Sequence, residues 1–391
     1  MEIETIGQLV DWMQKGNQFT TLGNSPAAQF GTVREPFIGA SLLPEYLEPD
    51  NSFDDNGLDV SGEIGNSGAD YSPAQLNKAM GAFDLKYSLG KIDAATQLIG
   101  RDIENIIRFL AKQKPSADPV LDAQQIITKW FDEGVTRSLA KLIEHQRWQC
   151  IIDGVVRRRG NNGYAENVPY PFPPGHQTTV AASGTMALPT GWYDTNPATA
   201  TDALEDLLAA NQRLKLQGFK LTRIISGSMI KSVFMRNGKV RRNALPDGSQ
   251  RSATPADIQA LLAAHDLPEW ETYDTGFKVR PSANSSQIQN IPFFERDGFD
   301  PVVLVAATSN EQQIKVGKET IVLPDTLGGY AIGRPKGQPA LGKLVNIVLH
   351  NKTYPYSIYA EIIAQGLPII SAKILAQGLP FSVLKVPKRA P

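Results

Sequence analysis

The sequence predicts an α+β protein that is organised on one long helix. Three observations predict this class. Apolar residues recur at helical spacing over residues 118–153. Strand-like and helix-like segments alternate over 198–350, as they do in a mixed α/β domain. The 33 glycines and 27 prolines imply many turns, which favours an architecture rich in strands and loops over a helical bundle.

Length and charge restrict the classes of protein that are compatible with this chain. Its 391 residues are enough for two or more domains. The net charge of −1 gives no overall attraction to nucleic acid or to an anionic membrane. The single cysteine, Cys150, cannot form an internal disulfide, which is typical of a reducing compartment, and we interpret it as a small buried hydrophobe.

The first ninety residues predict an arm followed by a projecting loop. Residues 4–15 have the spacing of a short amphipathic helix, and the proline-containing stretch 17–50 predicts an irregular arm that lies on another surface. Residues 51–75 are rich in Gly, Ser, Asp and Asn, a composition that favours loops. Residues 83–89 then alternate apolar and polar side chains, as a strand does. Together, residues 55–90 predict a long projecting loop that is formed by two strands, a two-stranded excursion from the subunit.

Two helices are predicted next. The first covers 92–113 and ends at the break 114–117. The second covers 118–153 and would be roughly 50 Å long, the length of a spine that supports other parts. Asp118 suits its N-cap, and Gly154 suits its C-terminal stop. Gly134 lies near its middle and predicts either a bend or a close contact with a neighbouring strand.

The rest of the chain predicts a hairpin, a compact domain and an apolar tail. A turn at 160–163 joins two strands. The compact α/β domain follows, with helices at 198–216, 228–237 and 254–265 and with strands at 221–225, 270–279 and 302–306. In the tail, 363–368 and 375–380 both contain Ala-Gln-Gly-Leu-Pro, and we expect adjacent strands there. A membrane span over 360–384 is disfavoured by Glu361 and Lys373.

The sequence predicts no catalytic residue, no metal site and no cofactor. Its four histidines have no partners at ligand spacing. Residues 54–59 resemble part of a calcium loop but lack the distal glutamate, so a polar turn is the preferred interpretation. Ser228 and Lys231 match the SxxK pattern of serine–lysine acylases, but two further SxxK matches occur elsewhere, and the partner motifs of those enzymes are absent. A serine–lysine hydrolase therefore stays an alternative from another class.

The order of the parts, together with four short segments, resembles a known fold. The segments are Ser61-Gly62-Glu63-Ile64 at the entry to the loop, Asp153-Gly154 at the end of the spine, the helical region 228–242 after a strand, and Gln365 to Ile369 near the end. In this order, they resemble the Hong Kong 97 fold of tailed-phage major capsid proteins, and within it the lambda-like family. The doubled Ala-Gln-Gly-Leu-Pro segment departs from that family's usual pattern.

The resemblance implies both an architecture and a function. The parts would be an N-terminal arm at 1–54, an extended E-loop at 55–90, a P domain at 91–197 with the spine helix 118–153 and an antiparallel sheet, a mixed α/β A domain at 198–350, and a return to the P domain at 351–391. The subunit would assemble as pentamers and hexamers into an icosahedral shell. An encapsulin-like compartment is an alternative with the same fold.

The resemblance also implies partners and a location. The partners would be further copies of the chain, double-stranded phage DNA held on the inner face without sequence specificity, and portal, scaffold and decoration proteins, with no membrane. The location would be the virion capsid, after synthesis and assembly in the host bacterial cytoplasm. Ten charged residues are our candidates for subunit contacts: Glu63, Asp70, Lys78, Lys86, Arg157, Arg158, Arg159, Arg236, Arg241 and Arg242.

Overall fold

The computed structural model describes residues 37–59, 81–102, 104–105, 129–159, 165–173, 175–245, 251, 253–279, 289–307, 312–316, 319–323, 327–337, 341–350, 357–370, 375 and 378–389. Several predictions lie wholly or partly outside these residues. They are the helix at 4–15, the first part of the arm, residues 60–80 of the two-stranded excursion, residues 106–117 with the end of the first helix and its break, residues 118–128 of the spine, and the turn at 160–163.

The end of the predicted arm packs into the subunit's own core. It contains a short helix, α1 (Ile38–Leu42), and a strand, β1 (Glu45–Leu47). Phe37, Leu42 and Leu43 are at most 5% exposed. For this part of the arm, the prediction of an irregular segment lying on another surface is wrong, because its apolar side chains pack in one core cluster with residues of the spine.

The predicted two-stranded excursion is confirmed. Strands β2 (Ser52–Asp59) and β3 (Gly81–Ser88) are antiparallel, with Ser52 opposite Ser88 and Asp59 opposite Gly81. We call this pair the ribbon. Within the described residues, the two strands pair only with each other.

Strand β4 (Gly90–Ile99) replaces the first part of the helix predicted over 92–113. Its exposure alternates, with Ile92 and Leu98 buried and their neighbours turned to solvent. All ten of its residues pair with the long strand β17 (Ser357–Ile369), and this pairing overrides the helical spacing of the sequence. Helical backbone begins only at residue 100.

The second half of the spine helix is confirmed, and it has an unexpected internal structure. Two π-helical segments, Asp132–Thr136 and Gln149–Asp153, flank the α-helix α2 (Arg137–Trp148). The helix ends at Gly154, whose φ of 67° is left-handed, as predicted. A Cβ on Gly134 would lie 3.1 Å from the Thr96 side chain, so the predicted close contact with a strand is also present.

A compact α/β domain follows β5 (Val155–Arg159) and β6 (Ala165–Pro169), whose antiparallel pairing confirms the two predicted strands, while the turn between them lies outside the described residues. The domain's helices are α3 (Ala203–Leu216), α4 (Ser228–Arg236), α5 (Gly238–Ala244) and α6 (Pro255–Ala264). Its sheet has the order β7-β18-β12-β8-β9, built from β7 (Gln177–Thr179), β8 (Lys220–Ser226), β9 (Trp270–Thr272), β12 (Phe299–Ala307) and β18 (Phe381–Pro387). The strand predicted over 270–279 is divided between β9 and β10 (Gly276–Val279), which pairs with β11 (Gln289–Pro292).

The spine packs on a second sheet. This sheet contains β1, β4, β17, β15 (Gly329–Gly333) and β16 (Leu344–His350), while β13 (Gln312–Val316) and β14 (Glu319–Leu323) form a separate hairpin. The apolar stripe of the spine, which includes Phe131, Val135, Leu139 and Ile143, forms one core with Ile358 and Ile362 of β17. This is the face that the helical spacing predicts.

The repeated tail segment does not form adjacent strands. The first copy lies inside β17, and the second comes just before β18, which pairs with β12 and β7. The prediction of neighbouring strands is therefore wrong, and the last strand belongs to the sheet of the α/β domain instead of returning to the spine. The physical reason is that β12 offers β18 seven paired positions in a buried sheet.

Candidate assembly surfaces

A buried carboxylate joins the arm, the spine and the α/β domain. The side chain of Glu144 on α2 is fully buried. Its Oε1 accepts hydrogen bonds from the backbone N–H of Gly39 at 2.8 Å, from Trp148 Nε1 at 2.7 Å and from the Tyr273 hydroxyl at 2.9 Å. Burial, followed by the charge of Glu144, raises the pKa of Tyr273, which therefore stays a neutral donor. We call this contact the arm junction.

Arg147 provides the balancing charge at the arm junction. Its Nη1 donates to Glu144 Oε2 at 3.3 Å, and its Nε donates to the Leu43 carbonyl at 2.8 Å. Its Nη2 lies 3.7 Å from Glu45 Oε1, and Glu45 Oε2 forms a second ion pair with Lys343 Nζ at 2.8 Å. All four charged side chains are at most 5% exposed. The segment around α1 and β1 is thus held by charge-assisted bonds inside a low-dielectric core.

The base of the ribbon is held by the β5–β6 hairpin. Arg158 donates to the Ser88 carbonyl at 3.1 Å and pairs with Glu166 at 2.9 Å. The ring of Tyr87 lies 5.4 Å from that of Tyr170. The Leu89 N–H donates to the Asn51 carbonyl at 2.9 Å, which closes the base. The ribbon therefore leaves the subunit from a fixed position.

Of the first seven interface candidates, four lie in the described residues, and their settings differ. Glu63, Asp70 and Lys78 lie outside the described residues. Lys86 is exposed on β3, and Arg157 is exposed on β5, where it pairs with Asp153 at 3.4 Å. Arg158 is only 8% exposed and is bonded within its own subunit, and Arg159 is the last residue of β5. An interface role for each of them stays a prediction.

The other three candidates lie together on consecutive helices. Arg236 ends α4 and is exposed, with its Nε donating to the Ser232 carbonyl at 3.3 Å. Arg241 and Arg242 are on α5, and Arg242 is exposed. Asn237 holds the two helices in place, because it caps α5 through Lys239 and Val240. Arg236 therefore lies on one helix and Arg241 and Arg242 lie on the next, and an interface role for the three arginines stays a prediction.

Two neutral histidines are partly buried near the end of the spine. The ring of His145 packs 4.8 Å from Phe277, and that of His176 packs 4.8 Å from Phe172. Burial, followed by the charges of Arg296 and Arg157, lowers the pKa of His145 to about 4. Burial, followed by the charge of Lys385, lowers the pKa of His176 to about 4. Both residues therefore carry no charge at neutral pH.

The surroundings of Ser228 and Lys231 do not support an acylase mechanism. The Lys231 ammonium donates to the Trp270 carbonyl at 2.8 Å, so its nearest partner is an acceptor and not the serine. The backbone N–H of Ser228 donates to Asp274 at 2.8 Å. In the described ranges, no group of three His, Cys, Asp or Glu residues could hold a metal ion. No helix in the same ranges is long and apolar enough to cross a membrane.

Sequence reasoning did not identify the arm junction. Neither Glu144 nor Arg147 is among the residues that the sequence pattern predicts to be functional. One signal was available. Glu144 follows Ile143, which is on the apolar stripe, and it lies three residues before Arg147 and four before Trp148. A carboxylate with donors at these helical spacings inside an apolar stripe indicates a buried, paired charge.

Comparison with solved structures identifies the fold. No protein-family profile and no curated sequence matches the chain. The proposed capsid protein of a prophage of E. coli CFT073 is similar over 95% of this chain and 98% of its own, with a TM-score of 0.54 at 13% identity. A phage-related protein of Bordetella bronchiseptica RB50 gives a TM-score of 0.46 at 13% identity, over 94% of this chain and 96% of its own. The capsid of Myoviridae phage XM1 gives 0.44 at 10% identity, over 90% and 91%. The first of these similarities extends over nearly the whole of both chains, and it shows that this chain has the Hong Kong 97-like α+β capsid fold that its sequence resembles.

Proposed function

We propose that this chain is a phage major capsid protein, which assembles as pentamers and hexamers into an icosahedral shell around double-stranded DNA. The observation that carries the proposal is the ribbon, on a subunit whose fold matches a prophage protein described as a capsid protein. An isolated two-stranded ribbon is at best marginally stable in water. A ribbon with a fixed base and no further strand partner in the described part of its own subunit gains stability when it packs on a neighbouring copy.

Each part of the subunit has a role in this proposal. The ribbon belongs to the E-loop at 55–90, the spine and its sheet form the P domain, and the α/β domain is the A domain. The arm junction fixes where the arm at 1–54 leaves the P domain. Neighbouring copies, packaged DNA, a portal, and scaffold and decoration proteins are the proposed partners. The proposed location is the virion capsid, after assembly in the cytoplasm of the host bacterium.

Expression of the full chain tests this proposal. Sedimentation and electron microscopy of the purified protein, with and without co-expressed neighbouring phage proteins, should reveal closed shells. The contents of the purified shells distinguish a phage capsid from an encapsulin-like compartment. Nuclease-protected DNA supports the phage capsid, and a co-purifying enzyme supports the compartment. A chain that stays monomeric under all of these conditions would contradict both. Labelling of Ser228 by a serine-reactive probe would instead support the hydrolase alternative.

Deletion of 56–88 tests the ribbon itself. The deleted subunit should keep its three core clusters, because their described residues lie outside the deletion apart from Tyr87, which is only partly buried. We expect a cooperative unfolding transition together with a loss of stable shells. Normal shells from this variant would refute the role that we propose for the ribbon.

A further inference from the structure

A rigid turn presents two apolar side chains to solvent. The turn at 183–190 follows β7, and it exposes Met186 by 68% and Leu188 by 75%. Its backbone is closed by the Thr190 N–H, which donates to the Ser183 carbonyl at 3.0 Å, and by the Thr185 N–H, which donates to the Leu188 carbonyl at 3.1 Å. A preorganised apolar turn loses little conformational entropy when it binds.

The rest of the α/β domain fixes the position of this turn. The Ser183 hydroxyl donates to the carbonyl of Pro387, the last residue of β18. A Cβ at Gly184 would lie 2.3 Å from the Leu188 carbonyl oxygen, and the φ of this glycine is 67°. Only glycine fits this turn without a rearrangement. The exposed tip is therefore held in one conformation by both ends of its own loop and by the chain's final strand.

The third highly exposed apolar side chain lies at the opposite end of the same domain. Strands β18 and β8 are both antiparallel to β12, and Val302 of β12 is opposite both Leu384 of β18 and Ser226 of β8. Strands β18 and β8 therefore run in the same direction and end at the same edge of the domain, where the turn lies. Leu216, which is 79% exposed, ends α3 just before β8 begins. The seven residues of β8 separate the two ends by about 20 Å.

We propose that the turn at 183–190 of one copy packs on the Leu216 end of the α/β domain of a second copy. A contact between two different surfaces of identical chains is heterologous, and repeated rotation by a fixed angle closes such contacts into a ring. Each copy in the ring would use its turn on one neighbour and its Leu216 end on the other. The inference rests on the proposed shell, because pentamers and hexamers are rings of this kind. Three side chains make only part of a stable interface, which needs roughly 800 Å² from each partner.

Disulfide cross-linking tests this contact, because the chain has a suitable background. Its one natural cysteine, Cys150, is fully buried, and burial raises the pKa of its thiol. In the double variant M186C/L216C, the two new thiols are too far apart to join within one chain. After assembly and mild oxidation, we expect a ladder of covalent oligomers that extends to five or six chains on a non-reducing gel. A mixture of the two single variants should stop at dimers.

A matched pair provides the control. Met229 is 61% exposed, but it starts α4 just after β8 ends, on the same side as the turn. The variant M186C/M229C should give no ladder. Equal ladders from M186C/L216C and M186C/M229C would overturn the proposal. Dimers of M186C alone, formed in the same yield as the oligomers of M186C/L216C, would also overturn it, because they would indicate a two-fold contact between turns.

The failures of the two proposals can be distinguished. The absence of shells from the unmodified chain counts against the shell itself, whereas shells without a ladder count only against this contact. If the cysteine pair does not assemble, Leu188→Asp and Met229→Asp provide a second comparison. Leu188→Asp should reduce shell yield at least tenfold, while Met229→Asp leaves it unchanged. Equal yields from these two variants would overturn the inference.

Discussion

Replacement of Glu144 by glutamine tests whether the arm junction stabilises the subunit. The remaining oxygen of the glutamine could still accept from Gly39, Trp148 and Tyr273. Its amide NH₂ group would then face the Arg147 guanidinium, which lies 3.3 Å from Oε2. Two donors would oppose each other, and the buried arginine would lose its nearest negative charge.

The structure sets the expected magnitude of this change. Removal of one partner from a buried ion pair costs about 3–5 kcal/mol. Arg147 keeps its bond to the Leu43 carbonyl and its contact with Glu45 at 3.7 Å, so we expect a loss at the lower end of this range. We therefore expect Glu144→Gln to lower the free energy of unfolding by about 3 kcal/mol.

Urea unfolding of unassembled subunits, followed by tryptophan fluorescence, measures this loss, and Trp148 reports on the junction directly. Asp93→Asn is the matched control. Asp93 pairs with Lys91 at 2.9 Å, but the two side chains are 51% and 60% exposed. An exposed pair contributes less than about 1 kcal/mol. If Glu144→Gln and Asp93→Asn cost the same, the reasoning about burial at the junction is refuted.

Three further predictions concern pH, packing and the ribbon. Because the folded state holds the pKa of His145 at about 4 while an unfolded histidine titrates near 6.5, His145 should contribute a loss of stability of up to about 3 kcal/mol between pH 6.5 and pH 4. His176, whose pKa is also about 4, adds a second loss over the same range, so His145→Phe should remove only part of the pH dependence, and an unchanged slope would contradict the prediction. Gly134→Val should lower the free energy of unfolding, measured in urea, by about 1–3 kcal/mol, because the valine side chain would press on Thr96. An unchanged free energy of unfolding would argue against close packing there. Arg158→Met should accelerate proteolysis within 52–88 several-fold without changing the products, since it removes the bond to the Ser88 carbonyl; equal cleavage rates would show that other contacts hold the base.

Local patterns predicted the elements whose partners are close in sequence. The end of the spine at Gly154 follows from the requirement for a left-handed residue at the helix terminus. Thr254 and Pro255 predict the start of α6, and the capping box between Thr254 and Asp257 is present. In each case the determining interaction spans only a few residues, so the sequence contains all of it.

The errors arise where distant partners decide the structure. Residues 92–99 have helical spacing but form a strand, because β17 lies more than 250 residues away and supplies their hydrogen bonds. The same five-residue segment occurs twice in the tail, yet one copy pairs with β15 and the other leads into a different sheet. Trp148 and Arg147 are local donors to Glu144, but its other two donors, Gly39 and Tyr273, are 105 and 129 positions away, and no local pattern could reveal these two.

The π-helical segments of the spine have a consequence for its helical phase. Each such segment accommodates about one residue more than an α-helical turn does, and one residue corresponds to about 100° of rotation. Asp132–Thr136 comes before Glu144 and Arg147, so it sets the direction in which both side chains leave the helix. Deletion of one residue within 132–136 would restore regular α-helical bonding and preserve the length of the helix to within about 1.5 Å. Because the extra residue lies within the π-helical turn, this deletion would change the direction of the charged pair little, whereas deletion of one residue of α2 before Glu144 would rotate the pair by about 100° away from the arm. The spine thus fixes not only the spacing but also the angle at which the parts of the subunit are attached.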